Sequence, residues 1–251
     1  MNEMLSNKVA LVTGGSRGIG AEIARKLARA GCDIAINYFN SHDKAAALCE
    51  ELRNSGRNAI ALQCNVADET SVKEMFAEFT NHFQKLDILV SNAASGVLKP
   101  TMKMKTKHWR WCLETNALAL VLLAQQAKPL MAQGSKIIAL SSLGSQRAIP
   151  EYGFIGASKA ALESLVRSMS VELAPDGISL NAVSAGVVDT DALKYFPNRE
   201  LLLQRFSENS LAGRSLLPQD VADAVYLLCL PEAAMIRGQT IYVDAGYSIV
   251  G

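Results

Sequence analysis

The most constraining feature of this chain lies near its start. There a short apolar run, residues 9–12, leads into Thr13-Gly14-x-x-x-Gly18-x-Gly20 and then into 21–30, a good helix former. Glycines so placed permit a tight turn, close approach of the backbone to a pyrophosphate, and close helix–strand packing. The following helix N-terminus offers unpaired N–H groups and the positive end of its dipole to phosphate. A glycine-rich turn alone is weak evidence, but between a strand and a helix it predicts nucleotide binding. Gly14, Ser16, Arg17, Gly18, Ile19 and Gly20 are thus the first candidate binding residues.

The rest of the 251-residue chain alternates in the same way. Candidate strands are 9–12, 34–37, 59–63, 88–91, 136–140, 179–183 and 240–243, separated by amphipathic stretches such as 21–30, 44–55, 71–83, 157–173 and 218–230. Continuous apolar runs suit strands buried on both faces, and alternation with helices implies right-handed crossovers. No linker, repeat or low-complexity tract interrupts the pattern. The expected fold is α/β: one doubly wound, parallel, seven-stranded sheet spanning residues 1–251.

Charge narrows the function classes. Lys and Arg number 25 against 24 Asp and Glu, and no basic block stands out, so neither nucleic acid nor a membrane surface is the expected partner. No apolar run approaches the roughly 18 residues that span a bilayer, and 1–8 is too polar for a signal peptide. Cys32, Cys49, Cys64, Cys112 and Cys229 are scattered, as reduced thiols of a cytoplasmic protein would be. His42, His82 and His108 do not cluster at ligand spacing, so no metal is expected.

The end of the second strand bears on which dinucleotide binds. An acidic residue there holds ribose hydroxyls and repels a 2′-phosphate. This strand ends Asn37-Tyr38-Phe39-Asn40-Ser41 with no carboxylate, while Arg17 sits inside the glycine turn. NADPH is therefore expected, with Arg17, Asn37, Tyr38 and Ser41 on the adenosine side; Arg17 as a merely solvated loop charge is the alternative. Asp33 precedes the strand and does not count against this reading.

With the glycine turn, Asn92-Ala93-Ala94-Ser95-Gly96, Asn116 and Ser141-Ser142, the chain resembles the short-chain dehydrogenase/reductase family over essentially its whole length. The resemblance implies a Rossmann fold. It also implies that Asn65 and Val66 contact adenine, that Asn92, Ala93 and Ala94 support the sheet beside it, and that Asn116 holds a relay water. Gly186, Val188 and Thr190 would face the nicotinamide, and Ser142 would be the auxiliary hydroxyl.

Carbonyl-reducing members carry Tyr-x-x-x-Lys, which would put tyrosine at 155 ahead of Lys159; here 155 is isoleucine and the available phenol is Tyr152. Tyr152-x6-Lys159 is the spacing of enoyl-acyl-carrier-protein reductases. Ketone reduction places hydride on the carbon bearing the oxygen. Enoyl-thioester reduction places it on the β-carbon, with charge developing on an oxygen several bonds away. A phenol set back by roughly 4.5 Å along a helix suits the second geometry. Tyr152 as a packing residue near a helix start is the plain alternative. The segments 140–152, 191–200, 212–214 and 235–240 are most similar to the NADPH-dependent bacterial enoyl-acyl-carrier-protein reductases of type III.

The resemblance thus implies NADPH-dependent reduction of a trans-2-enoyl thioester on acyl carrier protein or coenzyme A, in fatty acid or polyketide synthesis. Tyr152 would stabilise the enolate and Lys159 would bond the nicotinamide ribose. Segment 191–211, which carries Phe196, Leu201, Leu202 and Phe206, is expected to be a substrate lid, or else an ordinary surface helix pair. A 3-ketoacyl or other carbonyl reductase is the rival reading, and a binding protein that has lost catalysis is a third. By analogy with the family, the chain is expected to form a homotetramer.

Overall fold

The computed structural model describes residues 3–250 except residue 192 and residues 194–198, so Phe196 lies outside the described residues. Seven strands form one sheet in the order β3-β2-β1-β4-β5-β6-β7. They are β1 (Val9–Val12), β2 (Asp33–Tyr38), β3 (Ala59–Gln63), β4 (Ile88–Ser91), β5 (Lys136–Ser142), β6 (Ser179–Ala185) and β7 (Thr240–Val243). All neighbouring pairs run parallel. This is the doubly wound sheet expected from the alternation. Four strands match their expected bounds, while β2, β5 and β6 run one or two residues further, β2 into Asp33 and Tyr38, β5 into Ser141 and Ser142, and β6 into Ser184 and Ala185.

The helices are α1 (Gly18–Arg29), α2 (His42–Asn54), α3 (Glu69–His82), α4 (Thr106–Leu113), α5 (Ala119–Ala127), α6 (Gly153–Leu173), α7 (Arg199–Asn209) and α8 (Pro218–Cys229). They cover both faces of the sheet. Ala10 and Val12 of β1 join one apolar layer with Ile23 and Leu27 of α1, Leu48 of α2 and Val225 of α8. Val9 and Leu11 point the other way, into a layer with Phe79 of α3, Leu123 of α5 and Val166 of α6. This alternation along a strand buried on both faces is why its sequence reads as one apolar run.

Two departures matter for the site. A π-helical turn, Glu114–Leu118, joins α4 to α5, where an extra residue bulges from the helix and turns Asn116 inward. In the expected lid, Phe206 of α7 is fully buried and stacks on Tyr247 with ring centroids 5.0 Å apart. It anchors the helix to the core instead of facing an acyl chain. Among the described residues no helix is long and apolar enough to cross a membrane.

Candidate functional site

Strand order reverses between β1 and β4, and their carboxyl ends open a crevice, the place where open parallel sheets bind ligands. A cleft of about 830 Å³ occupies that crevice. Its walls include Gly14, Ser16, Arg17, Gly18, Ile19 and Gly20 from the turn and Asn37, Tyr38 and Ser41 from the end of β2. Asn65 and Val66 follow β3, Asn92, Ala93 and Ala94 follow β4, and Ser142, Tyr152, Lys159 and Thr190 close the far end.

The turn is held open by its own bonds. Gly14 and Gly18 adopt φ of +61° and +56°, conformations that favour glycine. The Asn92 amide donates to the carbonyls of Thr13 and Gly14 at 2.9 and 3.2 Å, and Thr13 Oγ1 accepts from the backbone of Asn92 and Ala93. A Cβ on Gly20 would lie 2.4 Å from the Gly14 carbonyl oxygen, so α1 packs here only because that atom is missing. Asn37 lines the cleft, yet its amide is committed to the backbone: Oδ1 accepts from Gly14 N–H, and Nδ2 donates to the carbonyls of Tyr38, Leu62 and Cys64. It shapes the wall and has little capacity left for a phosphate. Arg17 and Lys44 both reach Asp191 Oδ2, at 3.7 and 3.3 Å. These two cations therefore stand within reach of one anion at the cleft mouth. Free N–H groups at the α1 terminus, these cations and a cleft of this size fit a phosphorylated dinucleotide.

At the catalytic end, Tyr152 is the residue just before α6, and its carbonyl accepts the first helical bond from Gly156 at 2.8 Å. The helix thus starts one residue later than a phenol on its first turn would need, and Tyr152 still shares the cleft wall with Lys159. Its hydroxyl donates to Ser142 Oγ at 3.3 Å. The ring lies over Gly144, where a Cβ would be 2.5 Å from Tyr152 Cε1. Burial raises the phenol's pKa, with the Ser142 bond opposing, so Tyr152 is protonated at neutral pH. Lys159 donates to the Leu140 carbonyl at 2.6 Å, and burial lowers its pKa to about 8, opposed by the charge of Glu163. Glu163, one turn further along α6, is buried and accepts from Ser141 at 2.5 Å.

Ile155 holds the position where a carbonyl reductase would carry its tyrosine, and it presses on Gly96, where a Cβ would sit 2.3 Å from Ile155 Cγ1. Asn116 is not on the cleft wall. It lies behind it, accepting from Ser95 N–H at 2.8 Å and donating to Ser95 O and to Ser158 Oγ, both at 2.9 Å. Gly186 and Val188 are also outside the cleft. Gly186 packs under Phe206, and Val188 is buried and bridges to Leu216. Sequence reading missed Asp68, Trp111 and Glu114, all of which line the cleft, as does Asp191 at the start of the expected lid. Only spacing from the neighbouring motif residues could have pointed to them, since none belongs to a motif of its own.

The sequence model of a family described as Enoyl-(Acyl carrier protein) reductase matches residues 14–248. The chain is 40% identical over 245 residues to a 1-cyclohexenylcarbonyl-CoA reductase of Streptomyces collinus, covering 97% of this chain and 88% of that one. It is 37% identical over 252 residues to a 3-oxoacyl-(acyl-carrier-protein) reductase of Staphylococcus aureus, covering 97% and 99%. A short-chain dehydrogenase of Burkholderia cenocepacia solved with NADP superposes with a TM-score of 0.91 at 32% identity, covering 98% and 99% of the two chains. A phosphate-ready glycine turn at the switch point of this sheet, a tyrosine and a buried lysine on one cleft, and matches of such length agree: the chain belongs to the short-chain dehydrogenase/reductase family of NAD(P)-dependent oxidoreductases.

Proposed function

We propose that this protein reduces the carbon–carbon double bond of a trans-2-enoyl thioester, with NADPH as reductant and acyl carrier protein as the carrier. The observation that carries the reading is the exchange of positions beside the cleft: a phenol at 152 reaches it, while 155 is filled by an isoleucine packed on Gly96. A relative that shares 40% identity is named for reducing a cyclohexenylcarbonyl thioester, which agrees in substrate class. NADPH fits the cations at Arg17 and Lys44 and the absence of a carboxylate at the end of β2.

NADPH held by the 14–20 turn, Arg17 and Lys159 would supply the hydride that the β-carbon takes up. The chain's own residues handle the charge and proton that result. Tyr152, protonated and on the cleft wall, donates a hydrogen bond to the thioester oxygen as negative charge develops there. Ser142, within 3.3 Å of that hydroxyl, orients it. Lys159, cationic below about pH 8, is placed to bond the nicotinamide ribose and to stabilise the phenol's ionised form. Asn116 orders the 95–97 segment and α6 together through Ser95 and Ser158, a positioning role behind the wall. A proton at the α-carbon completes the two-electron reduction.

Carbonyl reduction is the second reading, favoured by 37% identity to a 3-oxoacyl reductase. Following NADPH oxidation with crotonyl and acetoacetyl thioesters separates the two. Faster turnover of the crotonyl substrate is expected; faster turnover of the acetoacetyl substrate overturns the proposal. Exposed apolar residues near the C-terminus, Tyr242 and Ile249, are where we place a subunit contact of a homotetramer.

A further inference from the structure

Between Asp87 and Glu114 the chain carries no carboxylate, yet Lys99, Lys103, Lys105, Lys107 and Arg110 all fall there. In a protein of net charge +1 this is a strong local excess. Read residue by residue the stretch looks dispersed, which is why it does not register as a basic block. The structure gathers it at one corner. All five cations are exposed, and among the described residues none makes an ion pair. His108 Nδ1 accepts from Lys105 N–H at 3.3 Å, and Lys107, Lys99 and Lys105 all add, after desolvation, to holding His108 below its ordinary pKa, so these three lie around one side chain. Surface cations elsewhere on the molecule commonly pair, as Lys73 does with Glu69 and Lys128 with Asp176.

The patch is not only charged. Met102 is 96% exposed, Trp109 39% and Trp111 44%. Exposed aromatic residues and methionine are enriched at protein-binding surfaces, and lone solvated lysines would not need them. The patch also touches the site. Trp111 lines the main cleft, and Thr101 lines a second cavity of about 250 Å³ with Arg147 and Tyr152. Lys99 N–H donates to the Glu151 carbonyl at 3.0 Å, and Trp109 meets Phe154 edge-on at 5.2 Å, which ties the patch to the segment that carries the phenol.

We propose that residues 99–110, with Arg147, form the docking surface for an acidic acyl carrier protein that presents its thioester to Tyr152. This rests on the enoyl-thioester reading above and specifies its partner. A face with five unpaired cations is complementary to an acidic helical surface. A second copy of this chain is disfavoured there, because a two-fold contact would set like charge against like. The second cavity, lined by both Thr101 and Tyr152, offers a path for the arm that carries the acyl group.

The test compares three crotonyl thioesters: one on an acidic, tryptophan-free acyl carrier protein, one on coenzyme A, and one on uncharged N-acetylcysteamine. For the triple substitutions Lys103→Glu/Lys105→Glu/Lys107→Glu and Lys103→Gln/Lys105→Gln/Lys107→Gln, kcat/KM on the carrier substrate is expected to fall at least about tenfold, more for Glu than for Gln. The N-acetylcysteamine substrate should stay within about twofold of the wild-type value. Trp109 and Trp111 are the chain's two tryptophans, so intrinsic fluorescence reports carrier binding directly and without turnover. That signal should titrate with carrier protein and weaken as salt is added. Unchanged carrier kinetics in both variants, or equal losses on all three substrates, overturn the proposal. An equal loss on coenzyme A and carrier substrates also overturns it, in favour of a site for small phosphates. Carrier binding seen by fluorescence with no crotonyl turnover by the wild-type protein would instead remove the enoyl reading and leave the docking surface standing.

Discussion

The two ends of the cleft are built by opposite means. At the cofactor end the chain satisfies itself. Asn92, Thr13 and Asn37 bond the glycine turn to three strand ends, and missing Cβ atoms set the spacing. At the catalytic end, two titratable groups are tuned by individual side chains: the Ser142 bond opposes the desolvation of Tyr152, and Glu163 opposes that of the buried Lys159. The first arrangement is rigid and tolerates almost no change. The second is adjustable, because single side chains set the reactivity. A fold that hosts several reductions needs both: a fixed place for the common reductant and a variable place for the oxygen.

The largest effect expected from breaking this contrast is at Gly20. Gly20→Ala forces a Cβ to 2.4 Å from a backbone oxygen that cannot yield, and should weaken NADPH binding by about 100-fold or more, equivalent to ~2.8 kcal/mol, when measured by titration. Next comes Tyr152→Phe. It should lower kcat on a crotonyl thioester by about tenfold or more while NADPH binds as before; full retained turnover would remove the phenol from the reaction.

A smaller effect is expected at Glu163. Because Lys159 titrates near 8 and must be cationic, kcat should decline as pH rises through that value. Glu163 opposes the lowering, so Glu163→Gln should move this decline to lower pH. A pH–rate profile that does not move would show that the carboxylate acts only through Ser141. The smallest effect concerns Asp191. Asp191→Asn removes an anion that competes for Arg17 and Lys44, and NADPH affinity should rise by no more than about fivefold, as for other exposed ion pairs.

The same contrast decides what the sequence could disclose. The cofactor end is local in the chain: a strand, a turn and a helix adjoin, so 13–20 announced itself through glycine spacing. The sheet was equally legible, since burial on both faces writes apolar runs. The displaced phenol was visible because it is defined against Lys159, seven residues further along the chain on the helix that Tyr152 caps. What did not show depends on distant chain segments meeting. Asn37 looked like a phosphate contact but is engaged by Leu62 of the neighbouring strand and by Cys64 just after it. Phe206 looked like a lid residue but finds Tyr247. Asn116, Gly186 and Val188 lie behind the wall for the same reason. The cation patch escaped because charges spaced two to four apart gather only once α4 and its preceding loop are folded.

Gly144 gives the adjustable end a direction. The Tyr152 ring rests where a side chain at 144 would be, so the absence of one atom sets how far the phenol stands from the nicotinamide side of the cleft. Position 144 is therefore a spacer whose thickness is chosen by inheritance. A lineage that gained a methyl group there would shift the hydroxyl while every reacting atom stayed the same residue. Divergence of reaction type in such a scaffold has a route that never passes through the catalytic residues themselves.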